Sequence, residues 1–435
     1  MPTSIPLPPP FQNFFKKKKR PPNLNLTSGN RLSTSSVSSA DTLSPFTSTQ
    51  NCTTPEIIDF LSTLRIDEIE NVITYNNGDF IKNGQNGVVK TVNLSAQGRT
   101  RKLVKKQGSF SVEHENKMTE ALQQVVTSNF PFDLFALPVA QGSVGTTNIL
   151  YTCYQEIGDL QTHVNYIYNQ YNSNPSAVLS YLFQGFQQLI EAINALDSSE
   201  FKDKNKQIHH GMIHNDIKPS NIFLKINGDF ILGDFGCAYF KNEAAPQIST
   251  FLFSAPELFI NKDFCTKSLN NLNTDIWSLG ANLWYLITNQ LSSPTPPKPL
   301  SDLEKILFYK GWAENYPTQW QALTEDCLDL TGEHLVRQIK DTIDSDLENL
   351  QKNLDSGQNT EQKKKILKKL ALLMQAPESE RPKALELKEL MVRLEDHFVI
   401  YGEAEEFAAQ LLERKKDENL VYQEFRNSNR SSFSR

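Results

Sequence analysis

The chain has no apolar run near the about 18–20 residues that a membrane-crossing helix needs. Its first residues hold no apolar signal segment, because Pro2, Pro6, Pro8, Pro9 and Pro10 interrupt them and the basic block Lys16–Arg20 follows. Cysteine is scarce: Cys52, Cys153, Cys237, Cys265 and Cys327 are odd in number, scattered and never spaced C-x-x-C. That argues against a disulfide framework and a zinc site, and it suits a reducing compartment. His209 and His210 also lack partners at metal spacing, so core or surface roles are expected for them. Basic charge is not in excess either. With 44 Lys and Arg against 50 Asp and Glu, the net charge is -6 and no overall field favours nucleic acid. The expectation is a protein of the cytosol or nucleus, or one that leaves a cell by a route needing no ordinary signal peptide. No internal repeat is evident.

What is present is patterned unevenly along the 435 residues. Residues 1–54 combine a proline run, the KKKKR block at 16–20 and a Ser/Thr/Asn-rich stretch, the composition of a disordered tail. The basic block reads either as a nuclear-import patch or as a solvated charged tail. Residues 55–70 are expected to be a helical extension, with Ile57, Phe60, Leu61 and Leu64 of 56–65 on one face. Short β-branched and aromatic segments follow at Val72–Tyr75, Phe80–Ile81, Val88–Leu94 and Leu103–Lys106, punctuated by Asn-Gly pairs. A helix is expected at 112–126, then strands near Phe135–Val139 and Ile149–Tyr154. From Pro175 the pattern is mainly helical, apart from an irregular island at 212–258 with short strands at Ile222–Lys225 and Phe230–Leu232. A small strand-rich half with one helix, then a larger helical half, is an α+β plan with two lobes.

The stretch 213–236, IHNDIKPSNIFLKINGDFILGDFG, carries the chemistry. Asp216 and Asp234 flank an expected hairpin, and Lys218 and Asn221 stand close behind the first. Phosphoryl transfer asks a protein for metal ions on the phosphates, a carboxylate that orients the attacking hydroxyl, and cations for the developing charge. Asp234 and Asn221 offer the hard oxygen donors that Mg²⁺ prefers. Asp216 can accept the hydroxyl proton, and Lys218 can hold the γ-phosphate.

This stretch resembles the catalytic and metal-binding loops of protein kinases, H-x-D-x-K-P-x-N followed by D-F-G. The resemblance extends over about residues 71–400 and implies a two-lobed kinase fold, 71–155 and 156–400, that transfers phosphate from ATP with Mg²⁺ to protein substrates. Ala255-Pro256-Glu257 resembles the A-P-E motif, Asp275–Gly280 the segment whose buried aspartate braces the catalytic loop, and Arg381-Pro382 the late arginine paired with Glu257. Ile81–Val89 resembles the glycine-rich phosphate loop, which implies ATP contacts at Gly84, Gly87 and Val89, although Lys82 stands at its first glycine and Asn86 at its aromatic. Lys105 matches the β3 lysine, with Lys106 the alternative. Glu115 matches its helix partner, with Glu113 the alternative. Tyr151–Gln155, with Cys153 at its centre, resembles the adenine hinge, and Gly158-Asp159-Leu160 the turn after it. D-I-K-P-S-N, together with Thr250 before Ala255, resembles serine/threonine rather than tyrosine kinases. It assigns Thr250 to hydrogen-bond Asp216 and Lys218. His214 resembles the family's structural histidine.

The departures carry expectations of their own. Asn215 stands where an arginine usually anchors a phosphorylated activation loop, and Pro246 where the phosphate acceptor usually sits, so the loop is expected to hold its active form by packing. A pseudokinase scaffold, or transfer of another group such as AMP, is the competing reading; the retained Asp216, Lys218, Asn221 and Asp234 oppose both. Residues 197–211 insert a polar run, and 295–375 enlarge the helical half. There Leu335, Ile339, Ile343, Leu347, Leu350 and Leu354 recur at helical spacing, either as core or as a face for a partner protein. Residues 401–435 are expected to form a charged helix, Glu403–Lys416, and a polar tail. That tail resembles the C-terminal export signals of bacterial type IV effectors, and the divergent glycine loop resembles kinases that intracellular bacteria inject. A solvated tail explains the same residues.

Overall fold

The structure, a computed structural model, describes residues 69, 73–74, 80–84, 87–96, 99–108, 110–129, 134–241, 243, 250–260, 273–352, 356–399 and 402–432. The expectations for residues 1–54 and the 56–65 helix, and those for Asn86, Pro246, Cys265 and Leu354, lie outside these residues.

A strand-rich region comes first. β1 (Ile73–Thr74), β2 (Phe80–Gly84), β3 (Gly87–Ala96) and β4 (Arg99–Gly108) are followed by helix α1 (Phe110–Asn129), then β5 (Pro138–Val144) and β6 (Thr147–Cys153). These six strands form one sheet, ordered β1-β3-β4-β6-β5, with β2 also on β3. All pairs are antiparallel, as short connections permit. The β2–β3 hairpin closes on the pair Gly84–Gly87. Gly87 has φ 126°, and a Cβ there would lie 2.5 Å from the Gln107 carbonyl oxygen of β4, so only glycine fits. One face of the sheet buries Ile69, Val92, Leu94, Leu103, Ile149 and Tyr151 as a cluster of their own. The expected strands are all present, most of them longer than the sequence pattern marks.

The helical region begins with β7 (Gly158–Asp159), α2 (Leu160–Ser173) and α3 (Pro175–Ser198). Asp159 caps α2 by accepting from Thr162 N at 3.0 Å, and Pro175 opens α3, where a missing N–H costs nothing. Residues 197–211, expected to insert a polar run, hold a hairpin of β8 (Glu200–Lys202) and β9 (Ile208–His210). Next come β10 (Met212–Ile213), β11 (Ile222–Leu224), β12 (Phe230–Leu232), β13 (Tyr239–Phe240), and helices α4 (Glu257–Ile260) and α5 (Thr274–Thr288). α5 is buried almost all round, which its apolar composition demands.

Residues 295–375, expected to enlarge the helical half, supply α6 (Asp302–Glu314), α7 (Tyr316–Leu328), α8 (Leu335–Lys352) and α9 (Ser356–Met374). Leu335, Ile339, Ile343 and Leu350 of the α8 stripe are buried in the chain's own core and Leu347 packs against it, so core packing is the role the structure gives them. α9 crosses α5 closely: a Cβ on Gly280 would lie 2.8 Å from the Ala371 carbonyl oxygen and 2.8 Å from Met374 Cβ. Beside that crossing, Trp277 Nε1 donates to Tyr316 Oη at 2.8 Å, and Tyr316 donates to the Gln375 carbonyl at 2.7 Å. Finally α10 (Ala384–Phe398) buries Leu387, Leu390, Met391, Leu394 and Phe398 at helical spacing. α11 (Glu403–Ser432) lays Phe407 5.0 Å from Tyr181. That last helix continues well past Lys416, through residues expected to be a polar tail.

Candidate active site

The loop between β10 and β11 is fixed from below by one carboxylate. Asp275, in the first turn of α5, accepts from His214 N at 2.8 Å and Asn215 N at 2.9 Å. Burial pushes the Asp275 carboxyl up, and His214 with the two amides oppose this by favouring its charged form. His214 accepts from Asp216 N at Nδ1, 3.3 Å away, which leaves Nε2–H to donate to the Gly233 carbonyl at 3.1 Å. The histidine therefore braces two loops against each other. Asn215 has φ 63° and Asp234 has φ 63°, in the left-handed region where Asn and Asp are tolerated better than most residues.

These braces aim Asp216. Its Oδ2 accepts from Lys218 Nζ at 2.8 Å and from Asn221 Nδ2 at 2.9 Å. Asn221 Nδ2 also donates to the Asp216 carbonyl at 2.8 Å. Lys218 Nζ donates in addition to Thr250 Oγ1 at 2.8 Å, so the residues expected to act together do meet. Asp216 Oδ1 is buried and accepts no hydrogen bond. A buried carboxylate oxygen left open in this way is an acceptor waiting for a donor.

The lysine facing this loop is Lys106, and the expectation of Lys105 is corrected by one residue. Lys106 Nζ lies 2.6 Å from Glu115 Oε2 and 2.8 Å from Asp234 Oδ1. The reason is strand parity. Leu103 turns into the separate cluster on one face of the sheet, and side chains alternate, so Lys105 shares that face while Val104 and Lys106 take the other. Glu115 rather than Glu113 is the partner; its helix buries Met118 and Leu122 in the main core. Burial pulls the Lys106 ammonium down, but the Glu115 and Asp234 carboxylates outweigh this and hold it above its usual range. Burial pushes the Glu115 carboxyl up, with Lys106 opposing. Asp234, half-buried, would also rise by burial, but Lys106 and Lys218 keep it low.

Gly84 and Gly87 close the β2–β3 hairpin, Val89 lies opposite Lys106 on β3, and Cys153 ends β6 opposite Leu103 of β4. At the far side, Arg381 forks onto Glu257, Nη1 to Oε1 at 2.6 Å and Nη2 to Oε2 at 3.1 Å, as the resemblance implies. Asp234 and Asn221 suit Mg²⁺: one is a half-buried carboxylate, and the other has its amide nitrogen engaged, which leaves its oxygen to a cation. Among the described residues no three His, Cys, Asp or Glu cluster as a cage.

Residues 205–389 match the protein kinase domain model. The chain is 35% identical over 147 residues to the probable serine/threonine-protein kinase FMP48 of Saccharomyces cerevisiae, covering 31% of this chain and 37% of that one. It is 35% identical over 106 residues to the serine/threonine-protein kinase ppk34 of Schizosaccharomyces pombe, covering 24% of this chain and 26% of that one. Over 161 residues it is 30% identical to the mitogen-activated protein kinase mpkC of Aspergillus niger, covering 30% and 38%. Residues 205–389 are thus similar to the protein kinase domain, and the relatives named are serine/threonine and mitogen-activated protein kinases. The chain spans well under half the length of the curated relatives it matches.

Proposed function

We propose that the chain transfers the γ-phosphate of ATP to serine and threonine hydroxyls of protein substrates, with Mg²⁺, in a two-lobed arrangement. The observation that carries this reading is the open Asp216 Oδ1, held in place while Lys218, itself bonded to Thr250, and Asn221 donate to Oδ2. Asp216 Oδ1 accepts the hydrogen bond of the incoming hydroxyl and turns its lone pair toward the phosphorus. Lys218 takes up charge as it spreads onto the transferred group. Lys106, positioned by Glu115, holds the α- and β-phosphates. Mg²⁺ on Asp234 and Asn221 neutralises phosphate charge when bound. The serine/threonine preference draws on Thr250, whose hydroxyl accepts from Lys218.

Asn215 supports a second part of the proposal, that the enzyme is active without phosphate on its activation loop. A phosphate orders a loop only where a cation receives it. Asn215 spends its side-chain amide on the Cys237 carbonyl, 3.4 Å away, instead of supplying that cation. The test is transfer from labelled ATP to a generic basic protein, with and without Asp216→Asn. Turnover is expected to fall about 10²–10⁴-fold in the variant while ATP affinity stays. Equal turnover in the two proteins would remove the mechanism.

A further inference from the structure

The Phe240 ring is where three elements meet: β13, the β8–β9 hairpin and helix α1. Phe240 ends β13, a few residues beyond Asp234, and is wholly buried. Hairpin β8–β9 covers it: His209 stacks on the ring with centroids 4.1 Å apart and planes 16° apart, and Phe201 tilts against it at 5.9 Å. Helix α1 covers it as well, with the Lys117 ammonium 5.5 Å from the ring centroid. The same helix carries His114, whose Nε2 sits 2.7 Å from the Ala238 carbonyl, and Glu115.

The hairpin is tied into the activation segment at its base. Gly211 N donates to the Ser199 carbonyl at 2.8 Å, Lys241 N donates to the Gly211 carbonyl at 3.0 Å, and the Lys241 ammonium pairs with Asp197. Its tip is self-supporting, since Asp203 Oδ1 accepts from Asn205 N at 2.9 Å and Gln207 N at 2.8 Å. From that tip Lys204 reaches Glu120 of α1 at 3.3 Å, an exposed pair that adds little. His209 also has two carboxylates near it, Asp203 at 3.5 Å and Glu243 at 3.8 Å.

We infer that the β8–β9 hairpin is a permanent clamp, in which Phe201 and His209 hold Phe240 against α1 and so keep Glu115 in reach of Lys106. They are positioning residues for the Lys106–Glu115 pair, and the inference rests on the phosphoryl-transfer reading. Aromatic faces locked in a buried contact need no modification to act. The clamp therefore does by packing what a phosphate bound to an arginine does where Asn215 stands. A small shift of α1 is enough to matter, because misplacing a catalytic group by about 1 Å can cost about 10²-fold.

The test uses the full chain with Phe201→Ala, His209→Ala and His209→Phe. Two quantities are read: amide hydrogen exchange along α1 and α5, and kcat/KM for ATP. Phe201→Ala and His209→Ala are expected to speed exchange in α1 while leaving α5 unchanged, and to lower kcat/KM about 10–100-fold. His209→Phe, which keeps the stack, should stay near the parent in both. In a Glu115→Gln background His209→Ala should add almost no further loss, since both act on one contact. Unchanged α1 exchange, an equal rise in α5, full additivity with Glu115→Gln, or a His209→Phe as damaging as His209→Ala would each overturn the clamp. Should the parent chain transfer no phosphate at all, the kinase reading falls, and the exchange arm still decides the clamp.

Discussion

Replacing Arg381 by alanine should unfold this domain more readily than any single change at its surface. Its side chain is fully buried and that of Glu257 is 7% exposed, so removing the guanidinium strands a carboxylate where water cannot reach it. Arg381 also donates from Nε to the Ala376 carbonyl and from Nη1 to the Asn273 carbonyl, both at 3.0 Å, so two backbone acceptors lose partners with it. Breaking a buried pair from one side costs about 3–5 kcal/mol, and the stranded carbonyls favour the upper end. At about 2 °C per kcal/mol for a large domain, Tm should fall about 6–10 °C, read by circular dichroism. The reverse experiment separates pairing from packing. Glu257→Leu combined with Arg381→Met removes both charges at similar volume and should recover most of the loss, because the isolated charge is what hurts. A drop below about 1 kcal/mol in Arg381→Ala, or a double variant weaker than the single one, would refute the argument.

Lys106→Met should abolish most phosphate transfer while Lys105→Met keeps most of it; the opposite result would place the β4 register one residue away. Protein made in bacteria should stay active after phosphatase treatment, and replacing Ser249, the hydroxyl residue just before Thr250 in the sequence, by alanine should leave activity near the parent. Thr250→Ala should cripple the enzyme by removing one of the two acceptors of Lys218, and a matching loss in Ser249→Ala would defeat the packed-loop account. Gly280→Ala should destabilise by about 1–3 kcal/mol, since its methyl meets the Ala371 carbonyl oxygen and Met374 Cβ, neither of which moves without α9, and unaltered thermal unfolding would mean that α9 can back away.

The catalytic loop was legible because its members are close in sequence: Asp216, Lys218 and Asn221 need only one turn of chain to converge, and Asp234 returns along a short hairpin. The distant partners Glu257 and Arg381 were legible through resemblance, which no local pattern supplies. The choice between two adjacent lysines was harder, since both fit the motif and only the face taken by Leu103 decides it. That signal was available, because a large apolar residue two positions before Lys105 marks the cluster side of β4. The β8–β9 hairpin was missed for a physical reason. Its strands are three residues each, and only Phe201 and His209 turn inward, so the polar residues dominate any pattern. The family match begins at 205, after the whole strand-rich region, where the altered glycine loop lies.

The line from Trp277 through Tyr316 to Gln375 gives residues 295–375 a structural role. It starts on the helix that carries Asp275, two residues before it, and finishes just past the end of α9. Trimming 295–375 to the outline of a smaller kinase would leave the Trp277 indole without its acceptor and bare the face that Gly280 keeps flat. Asp275 would loosen next, and with it the amides of His214 and Asn215 that set the catalytic loop. α7 and α9 are thus an inner wall of the domain, and α5, α7 and α9 should open to solvent together, as one cooperative unit with a shared free energy of exchange.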